Sequence, residues 1–161
     1  MRELYEAMQR LVDLHVDLVE ISQNKTEEIK QGDMEKLSKL LMQERKQVQL
    51  ISQKESERQE LVEKFFVEKN AQNEEQTMTN LLAFIDDETE KVEFEKVMSA
   101  LIDAIVELRE IEQLNKELME QSMQLVQLSL DMLQPSINRM NYDGKQNIQE
   151  SSKRSVFDSK A

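Results

Sequence analysis

Residues 111–134 read IEQLNKELMEQSMQLVQLSLDMLQ, and this stretch decides how the rest of the chain is interpreted. Its Leu, Met, Gln and Glu residues favour an α-helix. On a helical wheel its apolar side chains spread over roughly 220°, whereas a stripe that faces the core of a bundle needs only about 100°. We therefore expect a helix with more apolar surface than its own core can cover, and a second protein as the cover.

The composition of the whole chain is that of long helices. Its 161 residues include only 2 Gly and 1 Pro, with 4% aromatic and 34% charged residues. The apolar share of 39% is low, so each helix should bury a narrow stripe and expose a broad polar face. These features predict an all-α fold: an elongated antiparallel three-helix coiled coil or bundle, with a short extra helix and a disordered C-terminal tail.

The first two helices are predicted over residues 2–31 and 34–69. Gly32 can adopt the left-handed conformation that ends a helix, and Asp33 can cap the next one, so the two helices should form a hairpin. The apolar repeat of the first helix degrades toward its end. The middle of the second helix has few good core residues, and we expect it to be weakly packed or hydrated.

The other two helices are predicted over residues 74–85 and 88–134. Asn73 with Gln76, and Asp87 with Glu90, have the spacing of capping boxes, and Pro135 is expected to end the last helix. Residues 1–135 would then form the helical bundle. Residues 136–161 are rich in Asn, Ser and Gln and are predicted to be a flexible tail.

Charge and residue usage exclude several functions. The net charge of −12 would repel nucleic acids and anionic lipids, and neither a signal peptide nor a membrane-spanning run is expected, so the chain should be cytoplasmic. It has no Cys and one His, which rules out a di-iron bundle site. His15 is expected to sit at the edge of the apolar stripe with a local partner. We predict no cofactor, no metal site and no enzymatic activity.

The last helix contains the candidate binding residues. Asn115, Ser122 and Ser129 recur every seven positions, either as small polar residues tolerated in the packing stripe or as hydrogen-bonding groups for a partner helix. Methionines can adapt to the shape of a partner, although filling gaps in the protein's own core is an equally good use. The predicted partner-binding residues are Asn115, Leu118, Met119, Ser122, Met123, Leu125, Val126, Ser129, Leu130, Met132 and Leu133.

The chain resembles the FlgN-type flagellar export chaperones. The resemblance follows the opening helical hairpin, ESERQELVEKF at residues 55–65, LNKELMEQSMQLVQLSLDMLQPSI at residues 114–137, and SVFDSKA from Ser155. It implies a cytosolic chaperone that uses its C-terminal half to bind the C-terminal helical segments of the hook-filament junction proteins FlgK and FlgL. Such a chaperone prevents premature assembly and delivers its clients to the type III export gate. The resemblance also implies docking on the gate protein FlhA through an aromatic residue, with Tyr142 and Phe157 as candidates.

A structural role is the main alternative. The surplus apolar surface could drive self-association, so that the chain would be a non-enzymatic coiled-coil protein, for example a homodimer. An enzyme is the weakest alternative, because the chain lacks the residue constellations that catalysis needs.

Overall fold

The computed structural model describes the backbone of residues 1–154 and the side chains of residues 1–133. Over that part of the chain the structure has four α-helices and no strand: α1 (Arg2–Gln31), α2 (Met34–Glu68), α3 (Met78–Ala83) and α4 (Glu88–Arg154). The predicted all-α fold class is thus confirmed. The chain divides into a first unit, Met1–Leu118, and a second unit, Met119–Ala161.

The turn between α1 and α2 forms as its two residues predict. Gly32 has a φ of 72°, and its N–H donates to the carbonyl of Glu28 at 2.9 Å, which ends α1. The Asp33 carboxylate then accepts from the N–H of Lys36 at 3.0 Å and caps α2. Two adjacent residues therefore end one helix and begin the next, and α1 and α2 pack as an antiparallel hairpin.

The end of α2 uses a residue that the sequence interpretation did not single out. Asn70 has a φ of 58° and donates its N–H to the carbonyl of Val67 at 3.1 Å, while the N–H of Ala71 donates to the carbonyl of Phe66 at 2.9 Å. This pair of bonds is a Schellman motif with Asn in the place that Gly usually takes. Ala71 and Phe66 both belong to the hydrophobic core, so the motif also turns the chain back onto it.

The short helix α3 begins later than predicted. The capping box at Asn73 is wrong, because the Thr77 hydroxyl accepts from the N–H of Asn80 and caps the helix at 3.2 Å. The residues before it lie in a turn, in which the N–H of Glu74 donates to the carbonyl of Ala71 at 3.0 Å. The cap of α4 is as predicted: Oδ1 of Asp87 accepts from the N–H of Glu90 at 3.1 Å.

The hydrophobic core of the first unit lies near the amino end of α1. It brings together α1, the end of α2, the α3 region and the beginning of α4. Its buried members are Leu4, Met8, Val12, Val62, Phe65, Phe66, Ala71, Leu81, Ile85, Phe94 and Val97. Phe66 is completely buried and makes edge-to-face contacts with Phe65 and Phe84, with ring centroids 5.9 and 5.8 Å apart.

The first unit is built differently toward the α1–α2 turn. No side chain of α2 from residue 38 to residue 61 is buried, which confirms the weak packing expected there. Part of the contact with α1 is polar: Gln47 donates from Nε2 to the carbonyl of Leu14 at 2.9 Å. Residues 22–26 of α1 bond to residues 107–115 of α4, so α4 runs parallel to α1 within this unit.

The last helix continues past the end that the sequence suggested. Pro135 led to a predicted end at residue 134, whereas the helical backbone extends to Arg154. A proline inside a helix removes one backbone hydrogen bond and can bend the helix, but it does not require the helix to end. The predicted flexible tail over residues 136–161 stays a prediction, and residues 155–161 lie outside the described part.

Candidate protein-binding site

The α4 segment from Met119 to Leu133 exposes a large apolar surface. Its apolar side chains are Met119, Met123, Leu125, Val126, Leu128, Leu130, Met132 and Leu133, with exposed fractions from 46% for Met119 to 80% for Met132. Among the described residues, nothing covers the surplus of apolar surface that the sequence of this helix predicted. Leu118, at the end of the first unit, is half-buried. We call residues 119–133 the exposed α4 segment.

The polar residues of this segment are mostly uncharged. Glu120 and Asp131 are its only ionisable side chains, and Gln121, Gln124 and Gln127 supply amides. The amide of Gln127 donates to Asp131 Oδ1 at 2.9 Å on the exposed surface. Because a partner would meet apolar groups and amides rather than a field of charge, shape and apolar burial should dominate recognition.

The two serines of the seven-residue repeat lie on this exposed surface. The Ser129 hydroxyl donates to the carbonyl of Leu125, one turn earlier in the same helix, at 2.8 Å. This bond satisfies the hydroxyl within α4, so Ser129 adds a small side chain with no strong demand for a partner. Ser122 is also exposed.

Asn115, the first polar residue of the repeat, lies elsewhere and requires a correction. Its side chain is only 2% exposed, so it is not part of the exposed surface. Asn115 Oδ1 accepts from the Thr26 hydroxyl at 2.6 Å, and Nδ2 donates to the carbonyl of Ser22 at 3.0 Å. Both ends of the amide are therefore occupied by α1, which fits the interpretation of a polar residue within the packing stripe.

Asn115 belongs to a polar cluster that joins three helices. Lys25 of α1 is only 5% exposed, and its Nζ donates to Glu44 of α2 at 2.6 Å and to Glu112 of α4 at 2.9 Å. The Ser22 hydroxyl donates to the same Glu112 carboxylate at 2.5 Å. We call Ser22, Lys25, Thr26, Glu44, Glu112 and Asn115 the Lys25 cluster.

The charge of Lys25 is stabilised by its partners. Burial disfavours the ammonium form, but hydrogen bonds and attraction from Glu112 and Glu44 outweigh it, so the pKa of Lys25 lies above its ordinary value of 10.5. A signal for this cluster was present in the sequence, because Ser22, Lys25, Glu44 and Asn115 all fall where apolar packing residues are expected. It did not indicate that they meet.

The other singled-out residues can be placed briefly. His15 is half-buried, and its Nδ1 lies 2.7 Å from the carbonyl of Leu11, which confirms a local partner. Phe157 and the side chain of Tyr142 lie outside the described residues. Among the residues that are described, no group of three or more His, Cys, Asp or Glu could hold a metal ion, and no helix is long and apolar enough to cross a membrane.

The fold and this surface define a helical protein that presents an uncovered apolar helix. The family model for the FlgN protein matches residues 1–150. The chain is also 32% identical over 162 residues to the "Uncharacterized protein YvyG" of Bacillus subtilis (strain 168), an alignment that covers 99% of this chain and 98% of that protein. No solved structure matches the chain.

The chain therefore belongs to the FlgN family, as its sequence resemblance predicted. This membership supports a general role as a flagellar export chaperone that binds flagellar proteins. The family is a family of chaperones and not of enzymes.

Proposed function

We propose that this chain is a cytosolic export chaperone for the hook-filament junction proteins FlgK and FlgL. In this proposal the exposed α4 segment covers the C-terminal helical segments of these clients, which prevents their premature assembly. The chaperone then delivers them to the type III export gate. The observation that supports this function best is the unbroken exposure of apolar side chains from Met119 to Leu133.

The exposed surface can contribute several kcal/mol to binding. Full burial of an apolar side chain contributes about 1.5–3 kcal/mol. Met119, Met123, Val126 and Leu130 are 46–71% exposed, so covering what remains exposed on these four would contribute about 3–7 kcal/mol. Ordering a flexible client segment costs several kcal/mol, and the other apolar residues of the segment can offset that cost.

An amphipathic helix is the partner that fits such a surface. The apolar residues recur at helical spacing along one long helix, and a partner helix can place its own apolar stripe against them. Methionines suit a chaperone with more than one client, because their unbranched side chains adapt to different shapes. Self-association through the same segment is the competing function.

Co-purification tests the client-binding surface. FlgK and FlgL should each co-purify with the wild-type chain, and changing Met119, Met123, Val126 and Leu130 to Ser should abolish recovery. The matched control changes four residues on the polar side of the same segment, Glu120, Gln124, Gln127 and Asp131, to Ser and should retain both clients. The control matters because Ser lowers helix propensity equally in both variants.

Two outcomes would contradict the proposal. Equal recovery of the clients with both four-Ser variants would remove the exposed α4 segment as the binding surface. If the free chain loses helix content on dilution, as an obligate oligomer does, the competing structural function would be favoured.

Docking on the export gate is the second part of the proposal. We assign it to Tyr142, with Phe157 as the alternative, because an aromatic side chain can anchor a small interface. The client-loaded chaperone should bind the cytosolic domain of FlhA, and Tyr142→Ala or Phe157→Ala should weaken that binding without loss of client. If neither variant, nor the double variant, changes binding to FlhA, the docking site lies elsewhere.

A further inference from the structure

Among the described residues, the buried side chains of α1 beyond Val19 and of α4 beyond Ala104 are all polar: Ser22, Lys25, Thr26 and Asn115. In that part of the first unit, residues 38–61 of α2 bury no side chain, and Ile105 and Val106 of α4 are exposed. Hydrogen bonds and ion pairs therefore make up much of what joins α4 to the hairpin there. The apolar core around Phe66 lies near the other end of α1.

The packing stripe of α4 does not define a single alignment by itself. It repeats every seven residues through Val97, Leu101, Ala104, Leu108, Ile111, Asn115 and Leu118, and continues through Ser122, Leu125, Ser129 and Met132. Beyond the core that contains Phe94 and Val97, apolar side chains in such a repeat can pack almost equally well when the helix slips by a heptad. A polar residue at a packing position removes that ambiguity, because only one alignment satisfies it.

Lys25 is satisfied only in the observed alignment. Its Nζ lies 2.9 and 2.8 Å from the two carboxylate oxygens of Glu112. A slip of α4 by one heptad would place Ile105 or Met119 where Glu112 lies. A buried ammonium would then lose one of its two carboxylates, which is strongly unfavourable, although an intact buried ion pair adds little net stability.

Asn115 imposes the same alignment independently. Its amide oxygen accepts from the Thr26 hydroxyl, and its amide nitrogen donates to the carbonyl of Ser22. No other residue type of the repeat can form both bonds. A heptad slip would replace Asn115 with Leu108 or Ser122. Leucine cannot form either bond, and the serine side chain is too short to reach both partners.

We propose that the Lys25 cluster is the register-setting device of this fold. It selects one alignment of α4 on the α1–α2 hairpin and so determines that the stretch packed on the hairpin ends near Leu118. It thereby determines that the exposed α4 segment begins at Met119. The role of that boundary in client binding rests on the proposed function, whereas the alignment of α4 on the hairpin does not.

Cross-linking of the full chain tests the register directly. The chain has no Cys, so each introduced pair is unique. Gln23→Cys with Glu107→Cys reports the observed alignment, because Nε2 of the native Gln23 lies 3.3 Å from Oε1 of Glu107. Gln23→Cys with Ala100→Cys or Leu114→Cys reports slips of one heptad, and a short cross-linker separates them because a heptad spans roughly 10 Å.

The decisive variant removes both halves of the cluster and keeps the bulk: Lys25→Met, Glu44→Met and Glu112→Met together with Thr26→Val and Asn115→Leu. With the native cluster only the 23–107 pair should cross-link, and in this variant the 23–100 or 23–114 pair should appear at a comparable yield. If this variant does not fold, the same test uses Lys25→Met, Glu112→Met and Asn115→Leu with Glu44 and Thr26 kept, because the Thr26 hydroxyl can donate to the carbonyl of Ser22 at 3.0 Å instead. Exclusive 23–107 cross-linking in the folded variants would overturn the proposal. No client takes part, so failure here is distinct from failure of the proposed function.

Discussion

Replacement of Phe66 by alanine should destabilise the first unit severely. The side chain is 0% exposed and contacts the rings of Phe65 and Phe84 edge to face. Truncating a buried phenylalanine costs about 3–5 kcal/mol, because the transfer free energy is lost and a cavity remains. For a chain of this size, 1 kcal/mol corresponds to about 2–4 °C, so the melting temperature should fall by about 6–20 °C.

Thermal unfolding followed by circular dichroism at 222 nm measures this effect. Val67→Ala is the matched control, because Val67 is the next residue of α2 and is 50% exposed. That substitution should change stability by no more than about 0.5 kcal/mol, as is usual for exposed sites. Equal losses in the two variants would refute the assignment of the core to the Phe66 side of α2.

Three further predictions concern the turn and the charged groups. Gly32→Ala should lower the free energy of unfolding, measured in urea, by about 1 kcal/mol. A Cβ at position 32 would meet no atom within 4 Å, so the cost comes from the positive φ alone. An unchanged urea midpoint would contradict this. The hydrogen bond from the Lys36 N–H lowers the pKa of Asp33, so the contribution of this carboxylate to stability is present above pH 3.8 and is lost as the pH falls through the lower folded-state pKa. Asp33→Asn should therefore reduce the dependence of stability on pH in the acid range. An unchanged dependence would count against the cap. Because the pKa of Lys25 is raised, its contribution to stability is complete below pH 10.5 and is lost as the pH rises through the higher folded-state pKa. Lys25→Met should therefore flatten the dependence of stability on pH in the alkaline range. A dependence like that of the wild type would argue against the ion pairs.

Local features of the fold were predictable where one residue has one strong preference. Gly32 and Asp33 were identified correctly, because a left-handed helix end and a carboxylate cap depend on neighbouring backbone atoms alone. Asn70 was missed because asparagine adopts the left-handed conformation less often than glycine does. Thr77 was missed because the polar run before it offers several residues that can cap a helix.

Features that depend on distant residues were only partly predictable. The sequence indicated that the apolar surface of α4 exceeds what a core stripe needs, and the exposed α4 segment agrees with this. Asn115, Ser122 and Ser129 look equivalent in the repeat, yet only Asn115 is buried, because Thr26 and Ser22 of α1 lie beside it. Partners that lie about ninety residues away cannot be identified from the spacing on one helix.

One measurement tests the central claim most directly: the alkylation rate of a single cysteine at position 123 in the free chain and after saturation with FlgK. The native Met123 is 71% exposed, so Met123→Cys should react rapidly in the free chain and slowly in the complex. A cysteine at the control position, Gln124→Cys, on the polar side of the helix, should react equally fast in both states. Slow alkylation at position 123 in the free chain, or an unchanged rate at that position in the complex, would contradict the account.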